Sequence, residues 1–376
     1  ALLLTAVLLV TLTVVGFANR GKIIDAQGAE LTYETDGQTF HLALSFESQG
    51  GAPFFGQPLF TVEVREDQVR GQVSSSRVFV DNGGGVDKKN EFLALVDHYE
   101  VTTTPCDGIS LLQIDETCIP TNSNAAIEAI PSYHTEQLKE GEGNVIWTIY
   151  LKNGDTLRLR HTVKITRVPV VTLTENDYPM ATVDDLNALL DTLAHEANRK
   201  SVYILQLPAV TYEGGLTMKN FCCDLVGSEG GTTFTGTVTI ATRGIHPSNI
   251  TNVRFVGDGT GIGLSASEGA FLHRCTFENW EIGAYGGLGS WVNATGCTFR
   301  GNGVGLWLDN RGGATCSGSY YGDSVYEDNG TAVRIAAMPG TETLDFNNCV
   351  FRGNGVNVEN AAGYAVDLLQ IVTADN

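Results

Sequence analysis

Five stretches of the C-terminal half share one spacing, and that spacing restricts the chain to a narrow set of folds. They are Asn-Val-Arg-Phe-Val (252–256), Arg-Cys-Thr-Phe-Glu (274–278), Gly-Cys-Thr-Phe-Arg (296–300), Asp-Ser-Val-Tyr-Glu (323–327) and Asn-Cys-Val-Phe-Arg (348–352). Their aromatic anchors Phe255, Phe277, Phe299, Tyr326 and Phe351 fall 22, 22, 27 and 25 residues apart. Self-similarity at such a period means one supersecondary unit stacked on copies of itself. Within a unit apolar residues alternate, a Gly/Asn turn intervenes and alternation resumes, as in Cys297 and Phe299, then Arg300 to Gly303, then Val304, Leu306 and Leu308. Period two excludes helical repeats. A leucine-rich repeat needs its Leu-x-x-Leu-x-Leu signature, and a propeller blade needs a longer unit. What remains is an all-β coil, a right-handed parallel β-helix, in which each position stacks on its equivalent one turn away.

The coil needs a cover at its open end, where its core would meet water. Thr182-Val-Asp-Asp185 reads as a capping box, with Leu186, Leu189, Leu190 and Leu193 on one stripe, which predicts a capping helix over 182–198. The strand Val202 to Pro208 and then Tyr212 follow. This order of capping helix, first strand and coils resembles the pectate-lyase-like superfamily, the pectin lyase fold, over residues 182–376. The resemblance implies the fold; it implies activity only weakly, because one fold hosts many functions. The chain lacks the Asn-Thr-Asp, paired-Asp and Gly-His-Gly motifs of polygalacturonases, and it matches no pectate-lyase or pectin-esterase signature. Asp184-Asp185 is a pair, but it lies in the helix's first turn, where carboxylates favour the dipole.

Three regions are expected. Residues 1–20 are an uncharged apolar stretch, read as a signal peptide cleaved after Ala18 or as a membrane anchor. Either way the remainder is exported, secreted or at the cell surface, and a membrane is a partner only through this segment if it stays uncleaved. Residues 21–172 alternate in many short runs, among them Phe40 to Leu44, Val145 to Leu151 and Leu157 to Ile165, with Asn153-Gly154-Asp155 as a hairpin turn. That pattern predicts a β-sandwich-like domain, and residues 173–376 make the β-helix. Cys106 and Cys118 flank a short loop and are the candidate disulfide. Cys275, Cys297 and Cys349 recur two places before an anchor and read as small core hydrophobes, with no metal site among them.

Formal net charge is −20, divided as −12 over residues 1–200 and −8 over 201–376. Nucleic acid is thereby excluded as a partner, since phosphate binding needs clustered Lys and Arg. Bare polyanionic glycans are disfavoured for the same reason. Ca²⁺ is the one cofactor in view, because an acidic surface can bridge to a polyuronate through it.

Aligning the coils on their anchors turns sequence into columns. Three places after the anchor stand Asp258, Trp280, Asn302, Asn329 and Asn354, which predicts an asparagine ladder in a stacked turn. Eight places after it the outward column reads Gly263, Tyr285, Trp307, Arg334 and Glu359, with Asp309 two places on from Trp307. Aromatic rings beside bidentate polar groups suit a polysaccharide lying along the coil. Tyr285, Trp307 and Arg311 are accordingly the candidate substrate-binding residues, with Gly263 and Gly287 leaving room beside them. Asp309 and Glu359 are the candidate carboxyl pair for hydrolysis, and Arg334 is the group to neutralise a uronate in a lyase. The alternative for these side chains is packing under the loop 309–324, with Arg334 and Glu359 as a surface ion pair. Two functional readings follow: a polysaccharide-engaging protein, as lyase or glycoside hydrolase, or a non-catalytic adhesin or spacer with a β-helix rod.

Overall fold

A computed structural model describes residues 21–46, 56–68, 70–81, 86–105, 112–120, 124–134, 140–195, 201–219, 221, 223–241, 247–287, 290, 292–310, 321–337, 344–363, 366–367 and 372–373. The chain divides into two compact units, Ala1–Val168 and Pro169–Asn376. The stretch 1–20, Cys106 and Arg311 lie outside the described residues.

The first unit is a sandwich of two sheets, the first mixed and the second antiparallel. One contains Ile23–Asp25, Thr156–Val168, Gly141–Leu151, Val96–Pro105 and Leu59–Arg65; the other contains Glu30–Thr35, Gln38–Ser45, Ser76–Asp81, Ile127–His134, Arg70–Gln72 and Leu112–Cys118. The hairpin expected at Asn153-Gly154-Asp155 joins Gly141–Leu151 to Thr156–Val168, and Gly154 takes φ 93°, a left-handed value that favours glycine. Alternation along Thr156–Val168 sends Leu157, Leu159, Val163 and Ile165 into a core shared with Phe40, Leu42, Val78, Val80 and Trp147. A short helix, Lys89–Leu95, covers part of that core with Phe92, and the alternation pattern gave no hint of it. Cys118 stands at the end of its strand, and its expected partner, Cys106, lies outside the described residues.

His161 occupies an inward place in the alternating strand, where its neighbours are aliphatic. Its ring stacks on Phe46 with 3.6 Å between centroids, and Nε2 lies 2.7 Å from Ser76 Oγ, which also accepts from Trp147 Nε1 at 2.8 Å. Burial pushes its pKa from 6.5 down to about 3, with the Gln57 backbone opposing.

The second unit is built mainly from three parallel sheets that take their strands in turn as the chain coils, with a further parallel pair, Leu344–Asp345 and Val366–Asp367. The first contains Val170–Leu173, Val202–Gln206, Asp224–Val226, Ser248–Thr251, Ala270–His273 and Val292–Thr295. The second contains Thr211–Tyr212, Thr232–Phe234, Val253–Val256, Thr276–Glu278, Thr298–Arg300, Val325–Glu327, Val350–Arg352 and Val372–Thr373. The third contains Leu216–Met218, Val238–Ile240, Ile262–Ala266, Ile282–Gly286, Val304–Asp309, Thr331–Ala337 and Val356–Asn360. The anchors stand in register, Phe255 on Phe277, Phe277 on Phe299, Phe299 on Tyr326 and Tyr326 on Phe351. Their rings are nearly parallel, with centroids 4.5 Å apart for Phe255 and Phe277 and 4.9 Å for Phe277 and Phe299. The column continues back through Phe234 to Tyr212, two members beyond the five recognisable in the sequence.

Single residues in the left-handed region turn the chain beside the second-sheet strands from Val253–Val256 to Val350–Arg352. Before the strand these are Asn252, Arg274, Gly296, Asp323 and Asn348; after it they are Asn279, Gly301, Asp328 and Gly353, all with φ between 53° and 65°. The helix Val183–His195 is capped as expected: Asp185 N–H donates to Thr182 Oγ1 at 3.1 Å, and Thr182 N–H donates to Asp185 Oδ2 at 2.9 Å. Val183, Leu186, Leu189, Leu190 and Leu193 close the coil's core, and Tyr212 O–H donates to the Met180 carbonyl at 2.6 Å, tying the approach to this helix to the aromatic column.

The asparagine ladder is present as Asn302, Asn329 and Asn354. Each Oδ1 accepts from the coil before it, Asn329 from the Asn302 N–H and Nδ2 at 3.0 Å, and Asn354 from the Asn329 N–H at 3.0 Å and Nδ2 at 2.9 Å. Nδ2 of Asn302 and Asn329 also donates to the Phe277 and Phe299 carbonyls, respectively, at 3.0 and 2.9 Å. Trp280 ends the ladder, its N–H donating to Asn302 Oδ1 at 3.0 Å while its indole covers Gly257. Asp258, expected as a further member, instead closes its own turn by accepting from Thr260 N–H and Oγ1.

Two predictions follow from these buried polar groups. Asn329→Ala strands the Asn302 amide donors and the Phe299 carbonyl, so unfolding in urea is expected to be easier by about 3 kcal/mol. For His161 the unfolded state binds the proton more tightly, so stability is fully present above pH 6.5 and falls as pH drops toward about 3. Between pH 6.5 and pH 5 the loss is about 2 kcal/mol, and urea titrations of His161→Leu across the same window should lack this component.

Candidate functional site

The stripe expected on the third sheet is a true column, but it begins differently from the aligned one. Its members are Thr217, Thr239, Ser265, Tyr285, Trp307, Arg334 and Glu359. Ser265, not Gly263, stands beside Tyr285, because the turn after Phe255 is two residues longer than those after Phe277 and Phe299. Gly263 lies under the Trp280 indole instead, where an added Cβ would meet Nε1 at 3.0 Å. The space at Gly287 is filled by the Tyr285 ring, whose Cε1 would lie 2.8 Å from an added Cβ.

The two rings of the stripe do not make a flat platform. Tyr285 and Trp307 meet edge to face, with centroids 5.6 Å apart and planes at 86°. On the neighbouring strand Arg334 lies 4.8 Å from the indole centroid and donates from Nε to Glu359 Oε2 at 2.8 Å. The half-buried Trp307 is thus bracketed by Tyr285 and Arg334, and its buried indole N–H has no acceptor among the described residues. Glu359 stays 45% exposed, so its ion pair is worth about 1 kcal/mol at most. Asp309 departs from the column's spacing through a β-bulge that sets it against Ala337, and it accepts from Tyr285 O–H at 3.3 Å. The candidate carboxylates Asp309 and Glu359 therefore engage different partners two strands apart. Among the described residues no group of three or more His, Cys, Asp or Glu side chains placed to hold a metal ion occurs.

A second surface was not legible in the sequence. A cleft of about 840 Å³ opens beside the first sheet, where the chain turns into the second, and its size lies in the range of ligand sites. Gln206 and Thr251 reach it from the outward face of the first sheet, Asn252 and Arg274 from the left-handed turns, and Glu175 and Glu229 from two loops. Its walls are fixed by hydrogen bonds. Asn252 Nδ2 donates to the Gly227 and Ser228 carbonyls at 3.1 and 3.2 Å, and Thr232 Oγ1 donates to the Pro208 carbonyl at 2.8 Å. Asp177 accepts from Thr174 N–H and Oγ1 at 2.8 and 2.9 Å, holding the turn that carries Glu175; these bonds keep its carboxyl below the usual range. Only glycine fits at 227, since an added Cβ would collide with the Asn252 carbonyl.

Four side chains in the cleft, those of Glu175, Gln206, Glu229 and Arg274, make no hydrogen bond or ion pair among the described residues. In the stripe, by contrast, Tyr285, Trp307, Arg334 and Glu359 engage each other. His273, one place before Arg274, is half-buried and its pKa is lowered by burial and then by Arg274, with Asp224 opposing. The cleft draws on segments near 175, 206, 229, 251 and 274, which share no motif. The available signal was Arg274 itself, a large cation in a column otherwise filled by Asn, Gly and Asp.

Residues 218–370 match the family described as the right-handed β-helix region. No curated protein and no solved structure matches the chain. A right-handed β-helix supports a carbohydrate-related or a structural role, and no specific enzyme family is indicated. Repeat spacing, in-register parallel sheets and the family match agree, and the unit Pro169–Asn376 is a right-handed parallel β-helix.

Proposed function

We propose that this is an exported, polysaccharide-engaging β-helix protein that holds its glycan in the cleft lined by Gln206, Thr251, Asn252 and Arg274. The observation that carries the reading is the contrast in hydrogen bonding. The cleft is concave, its walls are braced, and the side chains of Glu175, Gln206, Glu229 and Arg274 are unengaged among the described residues, whereas in the stripe Arg334 is paired with Glu359 and Tyr285 with Asp309. A sugar's hydroxyl rim needs such unengaged groups at fixed positions, because binding then costs little reorganisation. The apolar stretch 1–20 supports export.

Cleavage is a separate property from binding. The cleft offers two carboxylates, Glu175 and Glu229, and one guanidinium, Arg274. Those are the group types used in glycoside hydrolysis, which needs an acid and a base or nucleophile, and in β-elimination, which needs a base and a cation against the uronate. The second reading, a rigid spacer or adhesin, is favoured by the continuity of the asparagine and aromatic columns, which make a stiff rod without any ligand.

Glycan-array binding of the full chain separates these readings. Gln206→Leu and Glu229→Gln are each expected to weaken binding about tenfold, the effect of losing about 1.4 kcal/mol, while Trp307→Ala and Tyr285→Ala leave it unchanged. The reverse pattern transfers the site to the stripe. Absence of binding to every glycan leaves the rod reading. Reducing-end release or a new ultraviolet absorbance from an unsaturated product identifies hydrolase or lyase action.

A further inference from the structure

Arg274 occupies a position that the coil geometry makes unfavourable for arginine. Its φ is 53°, and the other non-glycine residues of the β-helix in the left-handed region, among those described, are Asn252, Asn279, Asp323, Asp328 and Asn348. Asparagine and aspartate tolerate this conformation through local hydrogen bonding, whereas an arginine bears the Cβ clash with no such compensation. Backbone strain kept at a cleft points to a role for the side chain.

The guanidinium provides the second observation. Arg254, Arg300, Arg334 and Arg352 each pair with a glutamate, at 2.9, 3.1, 2.8 and 3.0 Å. Arg274 is the one described arginine of this unit with no carboxylate partner among the described residues, and it lines the cleft. A strained position and an unpaired fork of donors in one side chain are explained together by a ligand that brings the missing carboxylate.

The geometry points to Arg274 as the receptor for a glycan carboxylate, and to a glycan that bears such groups at intervals and not on every sugar. This rests on the reading that the cleft holds a glycan. The spacing of charge follows from Glu175 and Glu229, which line the same cleft. One carboxylate can be taken by the arginine, but carboxylates on adjacent sugars would meet these two glutamates as like charges and be repelled. Neutral sugars beside the acidic one would meet the glutamates through hydroxyl donors.

The test uses the full chain and three hexasaccharide probes, measured by titration calorimetry and by the thermal midpoint. A hyaluronan hexasaccharide carries a carboxylate on alternate sugars, hexagalacturonate carries one on each, and N-acetylchitohexaose carries none. Hyaluronan is expected to bind at least tenfold more tightly than either of the others. Arg274→Asn should reduce it to the level of the neutral probe while raising the melting midpoint by about 2–4 °C, as strain is released. Arg274→Lys, which keeps charge without the fork, should recover only part of the affinity. A structural arginine would give the opposite sign, with Arg274→Asn less stable, and that result overturns the inference. So does tightest binding of hexagalacturonate, or equal binding of the neutral and alternating probes in the cleft; the second of these leaves glycan binding intact. Failure of all three probes to bind removes both the inference and the cleft reading beneath it.

Discussion

Equivalent residues of successive coils lie against one another across parallel strands about 4.8 Å apart, and that contact decides what every position may carry. A buried aromatic is tolerated because it stacks on the next, as Phe255, Phe277, Phe299 and Tyr326 do. A buried asparagine is tolerated because its neighbour accepts its donors, as Asn329 does for Asn302 and Asn354 for Asn329. The same repetition makes exceptions visible. Where the ladder's next place holds Trp280, a large ring must find room, and Gly257 and Gly263 supply it.

The turns connect architecture to recognition. One left-handed residue is enough to redirect the chain between the first and second sheets, so the turn stays short and its side chain remains beside the first-sheet strands. Asn252 uses that place to bond the wall at Gly227 and Ser228, and Arg274, one coil on, presents charge to the space beside it. The stripe on the third sheet shows the contrary outcome of in-register stacking. Tyr285, Trp307, Arg334 and Glu359 are close enough to engage each other, and they do.

Much of the fold was legible because it depends on period alone. The anchors, the inward residues Val304, Leu306 and Leu308, the ladder from Asn302 to Asn354 and the capping box at Thr182 and Asp185 are local or periodic features. The misplacement of Gly263 has a simple cause: the turn after Phe255 holds two more residues than its counterparts, and a fixed offset from the anchor cannot register that. Ring orientation was out of reach for another reason. Spacing places Tyr285 beside Trp307 but does not fix the side-chain torsions that set the planes at 86°. The cleft was hidden because its residues come from separated segments brought together only by coiling, although Arg274 stood out of its column in plain view.

The outer face of the second sheet carries an alternation with a further consequence. Glu278, Arg300, Glu327 and Arg352 follow one another in register, with Arg254 reaching Glu278 from the coil before, so every contact along the row joins opposite charges. Such a row has a parity. Duplicating or deleting one coil within it would set glutamate on glutamate or arginine on arginine, whereas adding or removing two coils together preserves the order. Growth or shortening of this segment in descendants of the gene is thereby biased toward even steps, a constraint carried by solvent-facing residues that contribute nothing to the buried core.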